Sequence, residues 1–126
     1  MAITFHDDDK MFRLTTKNTL YVFEVFHWQY LVHRYYGVKE GAKPVPVHED
    51  PDYRLYSFAP YRFRKDMAFS MDTLPMEYPY FGSGDFRTTA LRVRNADGNN
   101  STFFDYINHE IHDGVVAPGK LPAAHV

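Results

Sequence analysis

Apolar and polar positions along the chain follow no helical period. They fall into short aromatic and β-branched runs separated by turn residues. Residues 2–5 form a first apolar run, closed by His6-Asp7-Asp8-Asp9-Lys10. Residues 11–16 alternate as Met-Phe-Arg-Leu-Thr-Thr, and Lys17-Asn18 supplies a turn. Residues 19–26 carry Tyr21, Val22, Phe23, Val25 and Phe26, broken only by Glu24, and residues 30–36 make a second such run. His27-Trp28-Gln29 between them leaves room for nothing but a hairpin connection. Further on, residues 88–94 read as a strand through Ala90, Leu91 and Val93, and 101–112 as another through Phe103, Phe104, Tyr106, Ile107 and Ile111. The turn signal Asn95-Ala96-Asp97-Gly98-Asn99-Asn100 joins them, and its Asp-Gly suits positive φ. Residues 88–112 therefore predict a second hairpin. Short strands, frequent turns and no repeat predict an all-β, antiparallel β-sandwich.

Two stretches interrupt this pattern. Residues 37–60 hold Pro44, Pro46, Pro51 and Pro60 with Gly37 and Gly41, a connection longer than most in compact domains. Residues 69–87, FSMDTLPMEYPYFGSGDFR, pack two prolines, five aromatics, two glycines and three carboxylates into nineteen positions. Pro75 and Pro79 bias Leu74 and Tyr78 away from the helical region. Gly82 and Gly84, around Ser83, permit a tight turn. A flexible linker would be rich in Ser and Gly and poor in rings. This stretch predicts an ordered loop pinned against the rest of the molecule.

Composition narrows the classes. The chain has 126 residues, enough for one domain or part of one. At 44% hydrophobic and 17% aromatic it is too apolar for intrinsic disorder. The formal net charge of −2 is spread among interspersed charges, which argues against nucleic acid as a partner. Without cysteine it forms no disulfide or thiolate metal site. The N-terminus MAITFHDDDK lacks the basic and apolar regions of a secretory signal, and no apolar run approaches the roughly 20 residues of a membrane-spanning helix. These features predict a soluble protein, no membrane partner and a cytoplasmic location.

Candidate chemistry is sparse. His6 with Asp7, Asp8 and Asp9 offers hard-cation ligands, but successive residues of an extended chain point to opposite faces, so a solvated turn is the favoured reading. His109 and His112, three apart on a predicted strand, also fall on opposite faces. No metal site and no cofactor is expected. Tyr53, Tyr56, Phe58, Tyr61 and Phe63 interleave with Arg54, Arg62 and Arg64, a pattern single-stranded nucleic acid uses, although nearby carboxylates cancel most of the field. Trp28 at a hairpin tip is either a sugar-stacking ring or a packed one. Asp72, Glu77 and Asp85 are the carboxylates a glycosidase would need. Against that, Asp in turns commonly accepts backbone N–H bonds, and Arg87 or Arg92 stands ready as an ion-pair partner.

The stretch 69–87 resembles a segment near the start of the glycoside hydrolase family 36 α-galactosidases, whose pattern is close to FSLDTLPQEYPSYGTGDFR. The agreement runs through Asp72-Thr73-Leu74-Pro75, Glu77-Tyr78-Pro79 and Gly82 to Gly84-Asp85-Phe86-Arg87, with departures at Met71, Met76 and Tyr80-Phe81. Lys17-Asn18-Thr19, Tyr30-Leu31-Val32-His33, Tyr35-Tyr36-Gly37, Val93-Arg94-Asn95-Ala96-Asp97-Gly98 and Leu121-Pro122-Ala123-Ala124 extend the resemblance over nearly the whole chain. Leu55 and Met67 stand where the family often carries an Asp and an Arg.

The resemblance implies that residues 1–126 are the N-terminal portion of a supersandwich-like β-sandwich domain. The parent enzyme would hydrolyse terminal α-galactosides of the melibiose and raffinose type by a retaining two-aspartate mechanism. Its catalytic aspartates would lie on a downstream (β/α)₈ barrel, a fold of roughly 250 residues, so this chain has no catalytic residue and is expected to be inactive alone. Trp28, Arg54, Asp72, Glu77, Tyr78, Asp85 and Arg87 are the implied substrate-proximal or interface residues. The implied partners are the remainder of the α-galactosidase and neighbouring subunits of a homo-oligomer, with the galactoside met through the parent enzyme. The alternative is a free-standing carbohydrate-binding β-sandwich using Trp28, Tyr78 and Tyr80; a purely oligomeric adaptor is a third reading.

Overall fold

The computed structural model of the chain describes residues 2–27, 29–44, 71, 74–82, 85 and 87–114. Four strands form: β1 (Ala2–His6), β2 (Met11–Thr15), β3 (Thr19–Phe26) and β4 (Tyr30–Val38). They pair in sequence order as one antiparallel sheet, and no helix forms among the described residues. The fold is all-β. Its strands coincide with the β-branched and aromatic runs, and each turn falls where polar residues or a φ outside the β region break the pattern. At the β1–β2 turn Lys10 takes φ 53° and bonds Asp7 at 2.5 Å, while Arg13 holds Asp9. The acidic cluster is thus a charge-paired turn. His27 takes φ 48° at the tight β3–β4 connection, closed by Gln29 N–H donating to the Phe26 carbonyl at 3.1 Å.

Register aligns Phe5, Phe12, Phe23 and His33 straight across the sheet. The Phe5 and Phe12 rings lie 4.6 Å apart and those of Phe12 and Phe23 4.7 Å apart, nearly parallel. Such cross-strand pairs stabilise a sheet in the way i,i+4 pairs stabilise a helix. From the C-terminal segment the His109 ring packs on Phe5 at 4.4 Å and on Phe12 at 4.6 Å. A bulge opposite Val22 and Phe23 gives β4 its extra residue. Arg34 lies at that bulge and its Nε reaches Glu24 at 2.9 Å, so the one charge within the β3 run has a partner on the neighbouring strand.

The principal core joins Phe26, Tyr30 and Val32 of the sheet to Met71, Leu74 and Tyr80 of the loop, with Met76 packed against it. Burying each large apolar side chain contributes roughly 1.5–3 kcal/mol. The predicted second hairpin is absent: residues 88–112 form no strand. Their turn does form, with Gly98 at φ +87° and its N–H donating to the Asn95 carbonyl at 2.9 Å. The flanking runs have the right residue types but no ladder to join. Leu91 makes one isolated bridge to Tyr80, and Thr102 N–H donates to the Phe81 carbonyl at 2.8 Å. Strand propensity needs a neighbouring strand, and the described residues offer none here.

Candidate functional site

The loop is fastened to the sheet at two places. In the first, residues 75–77 lie along the outer edge of β4. His33 N–H donates to the Pro75 carbonyl at 2.8 Å, Glu77 N–H donates to the Leu31 carbonyl at 2.9 Å, and Met76 bridges Val32. Proline suits this position, because it brings an acceptor to the edge and needs no donor partner. Two outward backbone groups of the edge strand, the His33 N–H and the Leu31 carbonyl, are thereby paired. The Glu77 carboxylate completes the attachment: His33 Nδ1 donates to one oxygen at 2.9 Å, and the Tyr21 hydroxyl donates to the other. Burial, then the hydrogen bond to Glu77 and its negative charge, push the Tyr21 phenol well above its ordinary range. Tyr21 therefore stays protonated and keeps donating.

In the second, Arg87 gathers the two ends of the loop. Its Nε and Nη2 grip both oxygens of Asp85 at 2.9 and 2.8 Å. The same guanidinium donates to the Met71 carbonyl at 2.9 Å and to the Leu74 carbonyl, and the Arg87 backbone N–H returns to Asp85 at 3.1 Å. Asp85 is 3% exposed. Burial raises its pKa, but the side-chain and backbone hydrogen bonds from Arg87, with its charge, outweigh that and hold the carboxyl below the usual range. A planar five-donor guanidinium suits one acceptor pair on one side and two carbonyls on the other. Gly82 makes the turn between them possible. It sits at φ +139°, where a Cβ would stand 2.9 Å from the Thr102 carbonyl oxygen.

Of the sequence-derived site residues, Glu77, Tyr78, Asp85 and Arg87 are described; Trp28, Arg54 and Asp72 lie outside the described residues. Glu77 and Asp85 are held by different partners, each satisfied within the protein. Neither is presented as a free acid or base. Tyr78 is half exposed, with its ring edge-on to Phe104 at 5.9 Å, and lines a hollow of about 200 Å³ with Leu31, Met76 and Tyr106. Sequence pattern gives Tyr21 only as a strand residue and leaves His33 without a role. Their convergence on Glu77 comes from β3–β4 pairing, which sets Tyr21 and His33 beside one another at 5.4 Å between rings. Gln29 and Asp105 are a further missed pair, bonded at 2.5 Å across 76 positions.

The described residues thus show a loop pinned at two places on an antiparallel sheet, with Glu77 and Asp85 each engaged by partners within the chain. Residues 29–126 match the glycosyl hydrolase family 36 N-terminal domain, and the chain belongs to that family. The bifunctional alpha-galactosidase/sucrose kinase AgaSK of Mediterraneibacter gnavus is 37% identical over 123 residues, covering 98% of this chain and 13% of that protein. Alpha-galactosidase AgaA of Geobacillus stearothermophilus is 34% identical over 131 residues, covering 100% of this chain and 17% of that protein. Among solved structures, the GH36 alpha-galactosidase AgaB of Geobacillus stearothermophilus superimposes with a TM-score of 0.81 at 33% identity, over 100% of this chain and 17% of that one. A variant of AgaA in complex with raffinose matches with a TM-score of 0.73 at 32% identity, over 93% and 16%. The chain thus spans 13% and 17% of the two curated relatives' lengths.

Proposed function

We propose that this chain is the N-terminal, non-catalytic part of an α-galactosidase that removes terminal α-linked galactose from oligosaccharides of the melibiose and raffinose type. The carrying observation is the family match over residues 29–126 together with relatives named as α-galactosidases that extend far beyond it. Its work is structural: it completes a sandwich, supports assembly of a homo-oligomer and shapes the mouth of a sugar pocket. The double fastening of the loop supports this, because a loop held by Glu77 and Arg87 presents a fixed surface to whatever packs on it. The two catalytic aspartates would come from a downstream barrel, and the enzyme would act in the cytoplasm.

Two measurements test this reading. The purified 126-residue chain should give no turnover of an aryl α-galactoside; turnover would overturn the non-catalytic assignment. Reading the source DNA onward from the codon for Val126 should reveal a barrel with two catalytic aspartates. A stop codon there would replace the enzyme reading with a free-standing binding or assembly module. Cell fractionation with an antibody to this segment should recover it with cytoplasmic markers.

A further inference from the structure

The stretch that follows the Arg87 clamp borders a cavity of about 400 Å³. Arg87, Arg92 and Arg94 line it together with Thr88, Thr89 and Asn100, and Phe81 stands at its side. None of its described lining residues is acidic. Its walls are tied to the loop and to one another. Ala90 N–H donates to the Pro79 carbonyl at 2.9 Å, Leu91 bridges Tyr80, and Thr102 N–H donates to the Phe81 carbonyl at 2.8 Å. A cavity held by such bonds keeps its shape before any ligand arrives.

Its charge is one-sided. Asp85 offsets Arg87, whose other donors go to the Met71 and Leu74 carbonyls. Arg92 and Arg94 are exposed, and among the described residues neither has an ion-pair partner. The nearest acid in sequence, Asp97, is engaged within its own turn, where it accepts from the Asn99 N–H at 3.1 Å and from the Asn99 side-chain amide. The side chains of Thr88, Thr89 and Asn100 bond to no described residue. The cavity therefore carries two uncompensated positive charges beside unengaged hydroxyl and amide groups.

We propose that this cavity binds a phosphate monoester carried on a hexose. Arg92 and Arg94 take the doubly charged phosphate, because a guanidinium matches phosphate oxygens with a planar fork of donors and stays charged. The volume lies within the roughly 300–1,000 Å³ of small-molecule sites and exceeds what a bare phosphate fills. Thr88, Thr89 and Asn100 meet the sugar hydroxyls. Phe81, 52% exposed, offers a ring to the C–H face of the sugar. Three polar side chains against one ring suit a hexose better than a nucleobase. The site does not depend on the α-galactosidase reading, since all these residues belong to this chain.

Isothermal titration calorimetry tests the site in a chimera in which this chain replaces the matching N-terminal part of AgaA, with aryl α-galactoside turnover as the check on folding. Galactose 6-phosphate should bind with one-to-one stoichiometry, inorganic phosphate more weakly, and galactose not at all. Arg92→Gln and Arg94→Gln should each weaken binding at least about tenfold, as expected on losing a charge-assisted hydrogen bond. Lys17→Gln, far along the chain, should leave it unchanged, and raising the salt concentration should weaken it. An active chimera that binds no phosphate would overturn the site while leaving the α-galactosidase reading intact. Undiminished binding in the double arginine variant would place the anion elsewhere and overturn it too. Inorganic phosphate or AMP binding as tightly as the sugar phosphate would overturn the hexose assignment. Should the chimera fail to fold, the same titrations on the purified chain decide. Binding by the chain that an active chimera lacks would show the cavity filled by the rest of the enzyme, which also sinks the proposal.

Discussion

At the scale of single residues, Arg87 carries more of the loop than any other described side chain. It donates to Asp85, Met71 and Leu74 together, so its removal leaves a buried carboxylate and two carbonyls without these donors. Arg87→Ala should cost about 2–4 kcal/mol by urea unfolding, below the largest values for buried pairs because the guanidinium is partly exposed. Arg87→Lys should recover only part of that, since an ammonium does not reproduce the planar fork. An Arg87→Lys variant as stable as the parent would show that charge alone, and not bidentate geometry, holds the turn. Glu77 plays a smaller part. Glu77→Gln weakens two charge-assisted bonds at a half-buried site and should cost about 1–2 kcal/mol. A double-mutant cycle with Tyr21→Phe should show coupling, and additive effects would mean that the contact contributes nothing measurable.

Among elements, the sheet and the loop were legible in the sequence to different degrees. The four strands could be read because each has its partner close by, at hairpin distance, so local pattern and global pairing agree. Residues 88–112 could not, because the pattern reports only a capacity to pair, and no strand lies beside them among the described residues. The loop was recognisable as ordered from its rings, prolines and glycines, and the pairing of Asp85 with an arginine was anticipated. The Tyr21–His33–Glu77 cluster was not, since it depends on which loop residues lie along β4. Gly82 links loop and segment: a side chain there meets both an unfavourable φ and the Thr102 carbonyl. Gly82→Ala should cost roughly 2–3 kcal/mol, read as a drop in urea midpoint. The aromatic ladder sets the other large term. Phe12, 6% exposed between Phe5 and Phe23, should cost about 3–5 kcal/mol when truncated to Ala. An unchanged midpoint in either variant would disprove the corresponding packing claim.

For the molecule as a whole, each of the two fastenings makes stability depend on pH, and they act at opposite ends. Asp85 titrates below its ordinary range in the folded chain. Above about pH 4 both folded and unfolded forms are ionised and the full stabilisation is present; it is lost as pH falls through the depressed folded value. Tyr21 is displaced upward. Below about pH 10 both states hold the phenolic proton; above it the unfolded chain ionises while the half-buried phenol bonded to Glu77 resists, so stability falls as pH rises toward the folded value. Asp7 and Asp9 are also held low, by hydrogen bonds from Lys10 and Arg13, but they lie at an exposed turn where solvent screening leaves little net contribution. Melting temperature should therefore trace a plateau with an acid limb owed to Asp85 and an alkaline limb owed to Tyr21. Asp85→Asn should lower the plateau and flatten the acid limb, whereas Tyr21→Phe, which also loses the bond to Glu77, should lower the plateau slightly and flatten the alkaline limb while leaving the acid limb in place. An acid limb of undiminished slope in Asp85→Asn would move the responsible carboxylate elsewhere in the chain. The loop would then unfasten with acid for a reason other than the loss of its grip on Arg87.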